Sequence, residues 1–207
     1  MGGMASVAEI APNDGPSEED HLRAQMYDFL GALLAAPPAQ DLLDQTAGLK
    51  GDDTPIGQAI ATLARMAKAT KPKAAEREYN ALFIGLGRGE LLPYASFYMT
   101  GFLNEKPLAL LRNAMSQLEI ERTPNTFEPE DNIASLMEMM AGMIEGRFRG
   151  EVTIEEQRDF WNQHIGPWAG HFFNDLAAAK NAVFYAPIGA LGSAFVDVER
   201  EAFRMAG

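Results

Sequence analysis

Glu128-Pro-Glu-Asp-Asn-Ile-Ala-Ser-Leu-Met-Glu-Met-Met-Ala-Gly-Met-Ile144 reads as the opening and body of a buried helix. Proline sits early, where its missing N–H costs nothing, and three acids (Glu128, Glu130, Asp131) stand where they would favour the positive end of the helix dipole. Ile133, Leu136, Met137, Met140, Met143 and Ile144 then recur at three- and four-residue steps, a wide apolar face that requires partners on more than one side. Such a helix belongs at the centre of a bundle.

Similar punctuation extends outward in both directions. Ser17-Glu18-Glu19-Asp20 is a capping box ahead of Leu22, Met26, Phe29, Leu30, Leu33 and Leu34, and Pro37-Pro38 stops that stripe. Short helices are expected over 41–48 and 54–69, with Ile56, Ile60, Leu63 and Met66 on one side of the second. Pro72 opens another, ending at Gly85, and a Gly-rich loop runs to Pro93. Further helices are expected over 106–120, from the Thr153 capping box through His164, from Trp168 to about Lys180, and from Pro187 to Phe203, with Gly166-Pro167 breaking the second from the third. No stretch alternates with period two, no hairpin signal occurs and nothing repeats. The expectation is an all-α fold, a single-domain bundle of about seven to nine helices over residues 17–207, preceded by a disordered acidic tail, residues 1–16.

The 207 residues carry 29 acids against 17 bases, a net charge of −12. An excess of this sign counts against nucleic acid or an anionic membrane as the main partner. Eleven of the twelve net negative charges come from residues 1–20 and 128–159. Cysteine is absent, which removes disulfides, thiolate metal sites and thiol nucleophiles. No apolar run reaches the roughly 18 residues of a membrane span, and the first 20 residues lack the basic residues of a secretory or transit signal. The Met1-Gly2…Ser6 pattern fits myristoylation only loosely.

Catalytic chemistry finds no carrier in the sequence. Glu18-x-x-His21 is a lone copy of the di-iron pattern, and the Gly85/Gly87/Gly89 loop follows a helix with the wrong spacing for a phosphate loop. The one enzyme-like alternative is a metal- or cofactor-binding bundle using His164, His171 and Asp175, which an unbroken helix would align. The stronger signal is aromatic: Tyr79, Phe83, Tyr94, Phe97, Tyr98 and Phe102 flank the Gly-rich loop beside an acidic segment, a combination suited to an apolar peptide with adjoining arginines.

Three blocks in this order resemble the TorD/DmsD family of redox-enzyme maturation chaperones. They are Tyr79-Asn-Ala-Leu-Phe83 followed by Pro93-Tyr-Ala-Ser-Phe-Tyr98; Glu128-Pro-Glu-Asp-Asn-Ile-Ala-Ser-Leu-Met137; and Phe160-Trp-Asn-Gln-His164 with Pro167-Trp168, Phe172, Leu176 and Phe184-Tyr185. The resemblance implies an all-helical cytoplasmic chaperone, not an enzyme and without a cofactor, that binds a molybdoenzyme precursor through its twin-arginine signal peptide or its body until the cofactor is loaded. It also implies that Glu128, Pro129 and Asp131 fall in a functional motif, and that Tyr79, Phe83, Tyr94, Ser96 and Tyr98 lie on or near a peptide-binding region, with His164 and Trp168 as secondary candidates. Asn132 stands where the family usually has His; it keeps hydrogen-bonding ability but cannot become cationic. Similarity of the 98–105 and 128–140 stretches to formate-dehydrogenase-associated members leans toward that client, with S- or N-oxide reductase and nitrate reductase still open. Monomer and homodimer are both compatible with the chain.

Overall fold

In the computed structural model, which describes residues 16–85, 89–122, 128–150 and 152–206, ten α-helices surround one core and no strand forms among the described residues. The acidic tail expected over 1–16 lies outside them except for Pro16, as do residues 86–88 of the Gly-rich loop and residues 123–127.

Helix α1 (Glu18–Ala35) begins at the expected capping box: Asp20 N–H donates to Ser17 Oγ while the Asp20 carboxylate takes the Ser17 N–H. It lies along α7 (Ile133–Ile144), ten of whose twelve residues are buried, the most enclosed of the helices. Helices α2 (Gln40–Ala47) and α3 (Pro55–Ala69) pack on each other, and α3 also rests on α10 (Tyr185–Met205). Helix α9 (Ala169–Ala178) is pressed onto α10 where Gly189 and Gly192 let the two approach; a Cβ at Gly192 would stand 2.2 Å from the Phe173 ring.

Two helices change pitch. Helix α4 (Pro72–Tyr79) runs into a π-helical turn, Asn80–Ile84, which Gly85 ends at φ 62°. Helix α8 (Ile154–Phe160), opened by the Thr153/Glu156 capping box, runs into a second π-turn, Trp161–Ile165. That turn and the bend after it separate His164 from α9, as the Gly166-Pro167 pair predicts.

Nine of the ten helices sit where the periodicity places them. The tenth is α5 (Ala95–Thr100), a six-residue helix inside the aromatic stretch, ended by Gly101 at φ 85°; α6 (Lys106–Gln117) follows. A helix this short carries no periodic signature and forms because its surroundings hold it.

One expectation is corrected. Glu128, Glu130 and Asp131 are not in the first turn of α7, which contains no acid. Asn132 is the N-cap, its Oδ1 accepting the Ala134 N–H at 2.9 Å, and Glu130 and Asp131 before it form a turn in which the Asn132 N–H donates to the Pro129 carbonyl at 3.2 Å. Backbone bonds from Ala95 N–H to Asp131 O (2.9 Å) and Ile133 N–H to Pro93 O (2.8 Å) bridge it to the Pro93-Tyr94 strand-like stretch. Long-range pairing therefore outcompetes the local helix-starting tendency of the acids.

Candidate functional site

The Tyr94–Asn132 backbone bridge and the π-turn together border a cleft of about 840 Å³. One wall is aromatic. Tyr79 and Phe83, one π-widened turn apart, meet edge-to-face at 4.9 Å, and both rings lean on the buried Tyr185. The Tyr79 hydroxyl donates to the Ala35 carbonyl at 3.1 Å, tying this wall to the unsatisfied end of α1. Two carboxylates anchor the same arm from behind: Glu78 accepts the Val183, Phe184 and Tyr185 N–H groups, and Glu90 accepts those of Lys180 and Asn181.

The opposite side is polar. Asn132, Ser135 and Glu138 recur every three residues down the cleft-facing side of α7, with Met139 beside them. Glu128 stands at the upper end, accepting hydrogen bonds from the Tyr94 hydroxyl and, at 3.2 Å, from Asn132 Nδ2. Asp28 of α1 enters from the far side and is neutralised by Arg147. Glu130 is buried between Arg112 (2.9 Å) and Arg122 (3.3 Å); burial alone would raise its carboxyl, but the guanidinium bonds outweigh that and hold it below the usual range.

Among the described residues two carboxylates in the cleft close no ion pair: Glu128, whose backbone carbonyl takes an Arg122 N–H at 2.9 Å, and Glu138, which makes no hydrogen bond and feels Arg147 only from a distance. The walls strip water from Glu138, although its side chain still reaches solvent, and this, together with the nearby charge of Asp28, pushes its carboxyl up. The same desolvation, followed by the charge of Glu128, raises the Tyr79 hydroxyl. The cleft thus offers an apolar aromatic face and a negative one, the pairing that an apolar chain with a cationic side chain would satisfy.

The residues singled out by sequence are divided by the structure. Tyr79, Phe83, Tyr94, Glu128 and Asn132 line the cleft, and Pro129 is half-buried beside it. Asp131 and Ser96 do not reach it: both are completely buried, with the Ser96 N–H donating to Asp131 Oδ2 at 2.7 Å. An exposed acceptor for a client arginine at Asp131 is therefore replaced by a buried tie between α5 and the start of α7. Tyr98 belongs to another cluster, stacked 5.3 Å from Trp168 with its hydroxyl donating to Asp175 at 2.9 Å. Trp168 is buried and its indole N–H donates to the His164 carbonyl at 2.8 Å.

The metal-site alternative is also corrected. His164 is buried, and burial lowers its imidazole to about 4, whereas His171 and Asp175 are exposed on α9 and Asp175 is engaged by Tyr98. Among the described residues no group of three or more His, Asp or Glu could hold a metal ion.

Sequence reasoning passed over Asp28, Arg147, Met115 and Glu138. Only Glu138 left a signal: it is the one charged residue between Ile133 and Ile144, three positions beyond Ser135. Asp28, Met115 and Arg147 reach the cleft only through the packing of separate elements.

Comparison with known proteins places this architecture among relatives. A family model described as the nitrate reductase delta subunit matches residues 49–174. A TorD chaperone of Vibrio cholerae (strain O395) is 29% identical over 126 residues, 58% of this chain and 57% of that protein. The chain therefore spans little more than half the length of this relative. A TorD chaperone of Aliivibrio fischeri is 24% identical over 201 residues, covering 86% of this chain and 92% of its own. A DmsD Tat proofreading chaperone of Haemophilus influenzae is 28% identical over 116 residues, 55% of this chain and 54% of that one. A solved redox enzyme maturation protein from Archaeoglobus fulgidus superposes with a TM-score of 0.54 at 18% identity, covering 91% of this chain and 99% of its own, a likeness of fold.

Proposed function

Because this chain belongs to the nitrate reductase delta subunit family, together with the TorD and DmsD chaperones, we propose that it is a maturation chaperone rather than a catalyst. Its client is a molybdoenzyme precursor in the cytoplasm, which it holds back from export until the cofactor is in place. The bound element is an arginine-bearing segment with an apolar neighbour, as a twin-arginine signal peptide provides. The observation that carries this reading is the cleft itself, where the Tyr79/Phe83 wall faces Glu128 and Glu138, whose carboxylates close no ion pair among the described residues. A guanidinium would supply what they lack, and the apolar stretch would cover the rings. No bond is made or broken.

Calorimetry with two synthetic peptides tests the proposal. A peptide with Arg-Arg ahead of an apolar run should bind, and its Gln-Gln counterpart should bind at least tenfold more weakly, with the gap closing as salt rises. Equal affinity for both would remove the charge argument. The stretches 98–105 and 128–140 support formate dehydrogenase as the client. Retention of a formate dehydrogenase precursor, but not of nitrate reductase or S-oxide reductase precursors, on the immobilised chain is the result expected.

A further inference from the structure

Lys50, Arg65, Lys68, Lys71, Lys73 and Arg77 are consecutive among the basic residues of the sequence, and all six are exposed. Among the described residues none of them makes an ion pair; Arg65 only donates to Thr62 Oγ1 at 3.1 Å. Seven of the ten other described bases hold a carboxylate, Arg23, Arg112 and Arg147 among them, whereas Lys106, Arg158 and Lys180 do not.

Five of the six gather at one corner. Arg65 and Lys68 are three apart at the end of α3, Lys71 is on the corner, and Lys73 and Arg77 are four apart on one side of α4. Fold stability does not account for all of them. Lys68 suits the negative end of α3, but Lys71 and Lys73 flank the positive start of α4, whose first turn has no acid, unlike those of α1 and α8.

The partner must be anionic, and the surroundings narrow its kind. No large apolar side chain is exposed between residues 65 and 77. Protein interfaces are built on buried aromatic, apolar and Arg anchors and are poor in Lys, and single-stranded nucleic acid needs stacking rings. A charged lipid surface needs only several cations near a plane, each strengthening binding roughly fivefold. We propose that the α3–α4 corner docks the protein on an anionic phospholipid bilayer, held by headgroups without insertion. No helix among the described residues is long and apolar enough to cross a membrane, which agrees with adsorption from one side. The net charge of −12 opposes such docking only weakly, since acids more than a Debye length of about 8 Å from the surface are screened. This surface is separate from the cleft and its function does not depend on the peptide-binding reading.

Co-sedimentation of the full chain with phospholipid vesicles tests it. Vesicles containing phosphatidylglycerol should retain the protein at low salt, pure phosphatidylcholine vesicles should not, and retention should fall steeply with added salt. Changing Lys68→Gln, Lys71→Gln and Lys73→Gln together should lower the partition coefficient roughly a hundredfold. Lys106→Gln with Lys180→Gln, exposed cations elsewhere, should change it far less, with circular dichroism verifying the fold of both variants. Equal retention on both vesicle types, no retention at low salt, or an undiminished triple variant would overturn the proposal. So would tighter binding of duplex RNA or polyglutamate with the same lysine dependence, which would reassign the corner to that partner.

Discussion

Asp131 and Ser96 are joined below the surface: the Ser96 backbone N–H donates to Asp131 Oδ2 at 2.7 Å, and neither residue is exposed to any extent. Asp131 thereby serves a free N–H in the first turn of α5 from 35 residues away, and fastens that short helix to the chain entering α7.

Asp131→Ala should therefore act on stability. Leaving the Ser96 N–H buried without an acceptor costs about 1–3 kcal/mol, and for a chain of this size each kcal/mol lowers the melting temperature by roughly 2–4 °C. Asp131→Asn retains an acceptor oxygen and should lose less. Thermal melts followed by circular dichroism would show the ordering; an unchanged melt for the alanine variant would exclude the tie.

A second buried carboxylate holds α10 to α1. Glu199 takes Arg23 Nε at 2.8 Å and the second guanidinium nitrogen at 2.9 Å, and accepts the Tyr27 hydroxyl at 2.9 Å. Removing one partner strands the other. Arg23→Ala leaves Glu199 buried and unpaired by its cation, and should cost about 3–5 kcal/mol; Glu199→Ala should fall at the lower end, since Arg23 keeps some access to solvent. Urea midpoints measure both, and replacing the pair by Met and Leu should recover most of the loss.

His164 makes the fold acid-sensitive. Burial brings its imidazole from 6.5 to about 4, so between those values the unfolded chain binds a proton that the folded chain refuses. Stability is fully present above pH 6.5 and declines as pH falls toward 4, by about 3 kcal/mol in total. His164→Gln should flatten that part of the stability–pH curve. An equally steep decline in the variant would place the sensitivity on other groups.

Glu138 should give peptide binding its own pH dependence. Its carboxyl is raised first by desolvation and then by Asp28, so ionisation above the usual glutamate range costs the folded state, and Glu138→Gln should not lower the melting temperature at neutral pH. A bound cation favours the charged form, so affinity for an Arg-Arg peptide should rise as pH climbs through the titration of Glu138. Glu138→Gln should weaken binding about three- to tenfold at neutral pH and remove that rise. Calorimetry across the acid range checks it; an unaltered profile would rule out Glu138 as a contact.

Both capping boxes, the proline stops and the wide apolar face of α7 were legible because each is a local pattern, fixed by bonds three or four residues long. Helix α5 and the turn before α7 were not, because each is held by a backbone bridge spanning more than 30 residues. The aromatic wall was found from composition, since Tyr79, Phe83 and Tyr94 are close in sequence as well as in space. The acidic side was found only in part. Asp131 looks like its neighbours Glu128 and Glu130 in one dimension, yet one is capping, one is doubly paired to arginines and one is open.

By itself the sequence determined an all-helical chain, the places of nine helices, and the blocks that tie it to a family of maturation chaperones. All of these rest on short-range periodicity and residue identity. Tertiary structure alone decided which charges stay available. Whether a carboxylate is neutralised depends on what folds against it: Arg112 and Arg122 reach Glu130 and Arg147 reaches Asp28, while among the described residues the Glu128 and Glu138 carboxylates and the cations of the α3–α4 corner close no ion pair. Ion pairs close within 4 Å across elements distant in the chain, and no pattern along the chain encodes that distance.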